Sequence, residues 1–257
     1  MKISLLQLNI EAGRKFSDLV IFINKNNFDV IQLQEVTGGE FSKYQPGLNV
    51  FEELKQQISM DGELSVTMHK TSDPASYFGN ATFFRKELSL LKKETVWLHP
   101  FREVEGFSHG DPDIIRSFPR SLLGLQFAHG NNSFWCLNTH LAWGPTQEDE
   151  PHKIEQGKIL TDYVSSLKEP FILSGDFNVW KESKIVKELE LLAINHAVKN
   201  NVTNTLNPAL HRASHLFPQG LAVDFIFTHP SLTVNNFSLV DKPDLSDHYG
   251  MRIEVEI

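Results

Sequence analysis

A chain of 257 residues that is 40% hydrophobic and 22% charged has the length and balance for a large core. Its net charge of −8, without a long basic block, argues against coating of duplex nucleic acid by a basic surface, while a small basic site with a bound metal stays compatible with phosphate. No stretch approaches the ~18 apolar residues of a membrane span, and Gln7, Asn9 and Glu11 interrupt the first apolar run, so neither a signal peptide nor a membrane segment is expected and the chain reads as cytoplasmic.

Strand-length apolar runs alternate with a few helical patterns. Residues 3–10 read as a strand. Residues 16–26 read as a helix, with Phe16, Leu19, Val20 and Ile23 on one face and Ser17 and Asp18 in the first turn. A strand over 29–36 is followed by a helix over 50–60 with Phe51, Leu54 and Ile58 on one stripe. Three strands are expected between 64 and 98, then a long irregular stretch over 99–120, of the kind that often carries function. Residues 121–143 predict a hairpin turning at "HGNN". The single cysteine, Cys136, lies in this hairpin and reads as a small core residue of a reducing compartment. Helices are expected over 152–168, buried through Leu160, Tyr163, Val164 and Leu167, and over about 181–193. Strands are expected at 171–179, 221–230 and 250–257. Gly157 predicts a close helix contact, and the acidic run at 147–150 a solvated loop. With no repeat, linker or low-complexity tract, one domain of α/β or α+β sandwich type is the simplest account.

Period-two alternation places polar groups at the ends of apolar rows. Gln7 and Asn9 continue the row of Ile3 and Leu5, and Glu35 that of Ile31 and Leu33. Asn138 and His140 continue the row of Phe134 and Cys136. Ser174, Asp176 and Asn178 continue that of Ile172. Asp224 lies between Ala222 and Ile226, and Asp247 and His248 precede the last strand. A buried carboxylate without a partner is costly, so these groups should meet at one rim. Such a pocket, rich in oxygen donors with two imidazoles, favours Mg²⁺ or Mn²⁺ over zinc.

In order along the chain stand "LQLNI", "LQEV", "YFGNATFFR", "LNTHL", "SGDFN", "VDFIF" and "SDHYG". Over residues 5–250 this series resembles the endonuclease/exonuclease/phosphatase superfamily, which includes DNase I and sphingomyelinases. The "NTHL" segment is closer to those two than to abasic-site endonucleases, and the inositol-polyphosphate 5-phosphatase pattern is not evident around Asp224. The resemblance implies a four-layer α/β/β/α sandwich, with two mixed sheets face to face and helices outside. It also implies metal-dependent hydrolysis of a phosphate ester.

By charge and by this resemblance, Glu35 is the expected metal ligand, aided by Asn9, with Asp247 as a ligand or an orienting group. Asp176 is expected to orient or deprotonate the attacking water, and Asn178 to donate to a phosphate oxygen; an Asx turn at the strand end is the competing account of both. Asp224 and His248 read as a dyad, the imidazole serving as base or as cation. The resemblance gives His140 a phosphate contact, and Asn80 and Arg120 are candidates for substrate binding. The nine other histidines, His109 of "SHGDPD" included, read as surface or structural. The expected protein is a monomeric Mg²⁺- or Mn²⁺-dependent phosphodiesterase or nuclease acting on a phosphate ester. A phosphomonoesterase or sphingomyelinase-like headgroup hydrolase is the alternative, and a binding module without catalysis the third reading. The loops at 99–120 and 203–220 are expected to choose the substrate.

Overall fold

The computed structural model describes residues 1–105, 117–130, 132–144, 146 and 148–257; His109 and its motif lie outside them. Two mixed sheets carry the molecule. In the first, β1 (Lys2–Asn9) and β2 (Val30–Thr37) run parallel at the centre. β3 (Asp61–Lys70), β4 (Asp73–Phe84), β6 (Arg102–Val104), β12 (Thr233–Val240) and β13 (Gly250–Glu256) complete the order β12-β13-β1-β2-β4-β3-β6. The second is β10-β11-β9-β8-β7-β5, formed by β5 (Leu90–His99), β7 (Arg120–His129), β8 (Asn132–His140), β9 (Phe171–Asp176), β10 (Ile194–Asn195) and β11 (Asp224–Thr228). Its central β8 and β9 are parallel.

Alternation along the strands sorts side chains between two layers. Leu6, Leu8, Ile31 and Leu33 pack with Leu19 and Ile23 of α1 (Phe16–Lys25) and with Phe51 and Leu54 of α2 (Val50–Ile58). Ile3, Leu5 and Val30 face the other way and join Cys136, Ile172 and Phe227 of the second sheet. Outside that sheet lie α3 (Pro151–Ser166) and α4 (Lys184–Glu190), whose Leu160, Val164, Ile185 and Val186 belong to the same core. A short α5 (His196–Lys199) follows β10. Gly157 permits the α3–α4 contact, since a Cβ there would sit 2.3 Å from Ile185 Cγ1. The expected layers of helix, sheet, sheet and helix are present. Among the described residues no helix is long and apolar enough to cross a membrane.

Near one rim the filling between the sheets turns polar. Gln7, Gln32, Gln34, Asn138 and Ser174 are all fully buried. Gln7 donates to Gln34 at 2.9 Å, Gln34 donates to Asn138 at 2.7 Å, and Ser174 donates to Gln32. Asn138 Nδ2 donates to the carbonyls of Leu33 and Ala81. Buried carboxamides that satisfy one another fix the register between sheets more stringently than aliphatic packing does.

The alternation rule fails at Glu35. Ile31 and Leu33 face the helices, and strict period two would send Glu35 there too. Instead β2 bulges: Leu33 pairs with Ala81 and Val36 with Gly79, leaving Gln34 and Glu35 together opposite Asn80. Glu35 takes φ +57. Leu33 and Val36 both stay in the helix-side core, so the bulge turns Glu35 to the inner face. A left-handed non-glycine residue costs on the order of 1–2 kcal/mol, and bulges of this kind re-aim side chains near active sites.

The strand β12 was not anticipated. It is a half-exposed edge strand with a bulge between Val234 and Asn236, which erases the alternation that marks buried strands. The expected strand over 171–179 ends at Asp176, and that over 221–230 begins only at Asp224.

Gly175 lets β8 and β9 approach closely just before Asp176. A Cβ at this position would lie 1.9 Å from Thr139 O, a backbone atom that cannot move alone. Gly175→Ala is expected to cost about 3 kcal/mol or more, read as a lower urea midpoint with an unchanged slope.

Candidate active site

The rim where the polar layer surfaces collects the ends of several strands. β1 ends at Asn9, β8 at His140 and β9 at Asp176. Asp224 begins β11, but that strand is antiparallel to β9 and its first residue pairs with Asp176. The reversed direction brings Asp224 to the same rim, while the turn before β13 adds Asp247 and His248.

Asp176 Oδ2 is the meeting point. Asn9 Nδ2 donates to it at 3.0 Å, His140 Nε2 stands 3.6 Å away and His248 Nε2 3.9 Å away. The other oxygen, Oδ1, accepts from the Asn178 backbone N–H at 2.9 Å. That is an Asx turn, with Asn178 at φ +51. The turn aims both side chains at the rim. Asn178 Nδ2 also donates to Leu141 O at 3.1 Å. His248 Nδ1 and Asp224 Oδ2 are 2.8 Å apart, and Gln7 donates to Asp224 Oδ1 at 2.9 Å. The expected dyad is thus present and is anchored in the carboxamide layer. Asn9 donates as well to Glu35 Oε1 at 3.3 Å, and its own oxygen accepts from Glu11 N. Asn9 thereby bridges the carboxylates of Glu35 and Asp176.

Burial dominates the electrostatics. Desolvation, with a contribution from Asp224, pushes the Asp176 carboxyl up to about 7 against the opposing pull of His248 and Asn9. Desolvation, then the charges of Glu11 and Asp176, push Asp247 up to about 6. Glu35 is raised by burial and by Asp247. The two imidazoles diverge. Burial, then Arg120 and His248, hold His140 neutral, well below the ordinary histidine range. Burial also works against charge on His248, but Asp224 and Asp176 outweigh it and keep the ring cationic well above that range. Arg120 is buried, and desolvation lowers it to about 10, still a cation at neutral pH.

The donor set fits a hard divalent cation. Glu35 and Asp247 repel one another across the site, and Glu35 has only the long Asn9 hydrogen bond among the described residues. Carboxylate oxygens with few competing donors suit Mg²⁺ or Mn²⁺.

These groups floor a cleft of about 480 Å³ whose walls include Phe78, Phe118, Trp143, Leu216 and Phe217, with Lys43 and Arg212 also lining it. Of the expected substrate contacts, Arg120 lines the cleft. Asn80 does not: it is buried opposite the β2 bulge and donates to Ser121 O at 3.2 Å.

Sequence patterns did not single out two residues that the structure places at or behind the cleft. His211, read with the surface and structural histidines, lines the cleft with its ring 5.5 Å from that of His248. Burial, then the His248 charge, lower it to about 4. It sits in an aperiodic loop, where no alternation could mark it. Lys153 stands two turns before Leu160 on the buried face of α3, ahead of the expected apolar stripe, and is fully buried. It donates to Thr146 O at 2.6 Å and Asn178 O at 3.1 Å, and Gln156 of the same helix accepts from Ala142 N at 3.0 Å. One helix face thereby braces the loops after β8 and β9. His196, by contrast, is structural as expected, buried with Nε2 2.8 Å from Thr228 Oγ1.

A carboxyl raised by folding stabilises least when ionised. Asp247 is neutral in both states below its unfolded value of about 4, and its penalty grows as pH rises through its folded value of about 6. In chelator, Asp247→Asn should therefore match the parent near pH 4 and exceed it at pH 7.5 by on the order of 2–3 kcal/mol. Added Mg²⁺ should raise the melting temperature of the parent more than that of the variant. Thermal unfolding across this pH range measures both.

The sequence pattern of the Endonuclease/Exonuclease/phosphatase family matches residues 6–248. The CCR4-Not complex 3'-5'-exoribonuclease subunit Ccr4 of Kluyveromyces lactis is 23% identical over 193 residues, an overlap of 67% of this chain and 24% of that protein. The chain thus spans about a quarter of the length of that curated relative. Among solved structures, an endonuclease/exonuclease/phosphatase from Bacteroides vulgatus superposes with a TM-score of 0.75 at 19% identity, covering 100% of this chain and 99% of the other. A mannosyl-6-phosphatase from Bacteroides thetaiotaomicron VPI-5482 gives a TM-score of 0.70 at 15% identity, covering 99% and 100%. At these identities the superpositions show a shared fold. The match over nearly the whole chain shows more: the chain belongs to the endonuclease/exonuclease/phosphatase family.

Proposed function

We propose that the protein is a divalent-metal-dependent phosphoesterase that hydrolyses a phosphodiester by in-line attack of water. The observation that carries this reading is the surround of Asp176 Oδ2: a neutral imidazole on one side, a cationic imidazole on the other, and an amide donor bridging to Glu35. A Mg²⁺ or Mn²⁺ ion held by Glu35 and Asp247 would supply Lewis-acid neutralisation of charge on the phosphoryl oxygens.

The chain's own groups do the rest. Asp176, held by Asn9 and by the turn at Asn178, orients the water and accepts its proton. Its raised affinity for a proton suits a base operating near neutrality. His248, fixed by Asp224, faces the reaction as a cation and stabilises charge on phosphorus-bound oxygen. Asn178 keeps one amide hydrogen for the phosphate after donating the other to Leu141. Neutral His140 donates or accepts without adding charge. Buried Arg120 contributes a fixed positive charge beside Glu35 and Asp176. Preorganised donors of this kind act without reorganisation during the reaction.

A phosphomonoester substrate is the second reading. It draws on the apolar walls of the cleft and the net charge of −8, which offer little to a long polynucleotide backbone. The mannosyl-6-phosphatase with this fold also gives it support, whereas the exoribonuclease Ccr4 favours the diester. An inert binding module is disfavoured, because every acidic and imidazole position expected from the family is filled.

The test is hydrolysis of bis-p-nitrophenyl phosphate and p-nitrophenyl phosphate in Mg²⁺ or Mn²⁺. Asp176→Ala and His248→Ala should each lower kcat by roughly 10²–10³-fold or more, with circular dichroism unchanged. Parental rates in both variants would defeat the proposal, and a preference for the monoester would move it to the second reading.

A further inference from the structure

The loop from Thr205 to Leu221 is bound to the site it borders. Thr205 Oγ1 accepts from the backbone N–H groups of Val223 and Asp224, and Thr205 O accepts from Tyr249 N at 2.7 Å. Asn207 N donates to Asp247 O at 2.8 Å, and its amide donates to Ser246 O at 2.7 Å. His211 N in turn donates to Asn207 O at 2.8 Å. The same hydrogen bonds that set Asp224, Asp247 and His248 therefore set His211.

His211, Asp247 and His248 bring potential ligand atoms within 4.8 Å of one another, which at first suggests a metal site. The ring of His211 argues otherwise. Its Nδ1 accepts from Ala213 N at 3.3 Å, so the Nδ1 lone pair is engaged and the neutral ring carries its proton on Nε2. A metal-bound histidine needs the reverse, a lone pair on the ligating nitrogen and an N–H directed from the other to an acceptor. At Nδ1 this residue meets a donor. What it offers the cleft is an N–H.

We propose that His211 is a further catalytic residue, whose Nε2–H donates a hydrogen bond to a phosphoryl oxygen of the bound ester. The proposal rests on the phosphoesterase reading. Its electrostatic logic is that of a neutral donor placed beside the His248–Asp224 pair: it stabilises oxygen charge without adding repulsion to that imidazole.

The test uses the full chain with His211→Ala and His211→Gln, each checked for a parental melting temperature. Three quantities are measured: kcat on bis-p-nitrophenyl phosphate in Mg²⁺, the Mn²⁺ dissociation constant, and the affinity of the Mg²⁺-loaded protein for inorganic phosphate. His211→Ala should lower kcat by about 10–100-fold and weaken phosphate binding several-fold, with Mn²⁺ affinity within twofold of the parent. His211→Gln, which keeps an N–H, should regain much of the loss. Parental kcat and phosphate affinity in His211→Ala would overturn the proposal. So would a tenfold loss of Mn²⁺ affinity in both variants, the signature of a ligand. A parent chain that hydrolyses no phosphate ester would sink the phosphoesterase reading instead, and the His211 donor would then stand or fall on phosphate affinity alone.

Discussion

Asp176 gives up most of its hydration to stand between two histidines, and the surrounding architecture is arranged around the cost of that burial. A lone carboxylate in such a place would simply take up a proton. Here one oxygen accepts from Asn9 and the other from the turn at Asn178. Beneath it, Asp224 pairs with His248 and draws on Gln7, which continues through Gln34 to Asn138. The carboxamide chain links the two sheets, so the interface that holds the fold together also holds the site in register. Stability and geometry are coupled at this rim.

The same crowding separates the roles of chemically similar groups. His140 and His248 approach one oxygen atom but differ in charge, because one has Arg120 and a cationic neighbour while the other has two carboxylates. Pushing like groups apart in proton affinity is how a single pocket supplies both a neutral and a charged partner at one pH. The residual strain is negative: Glu35, Asp176 and Asp247 each resist ionisation, and a divalent cation is the natural counterweight.

Much of this was legible in the residues. Period-two rows ending in Asn9, His140 and Asp176 do converge, because parallel central strands end at a common rim. Asp224 joins them from an antiparallel strand through its first residue, which the row itself could not reveal. Glu35 reaches the cleft by a route that alternation does not describe: the bulge in β2, with its positive φ, exchanges the helix face for the inner face. Asn80 illustrates the converse, a polar residue on an apolar strand that serves the backbone opposite the bulge. Lys153 and His211 escaped notice for different reasons. A buried lysine is visible only when the carbonyls it joins are known. A loop histidine is placed by hydrogen bonds between segments distant in sequence, which carry no periodic mark.

We propose that Glu35 and Asp247 hold one divalent cation at the floor of the cleft. Anomalous diffraction from crystals grown with Mn²⁺ locates the ion. A peak is expected within coordination distance of the Glu35 and Asp247 carboxylate oxygens, and it should disappear in Glu35→Gln crystals grown the same way. Mn²⁺ bound elsewhere, with the cleft floor empty at saturating metal, would contradict it.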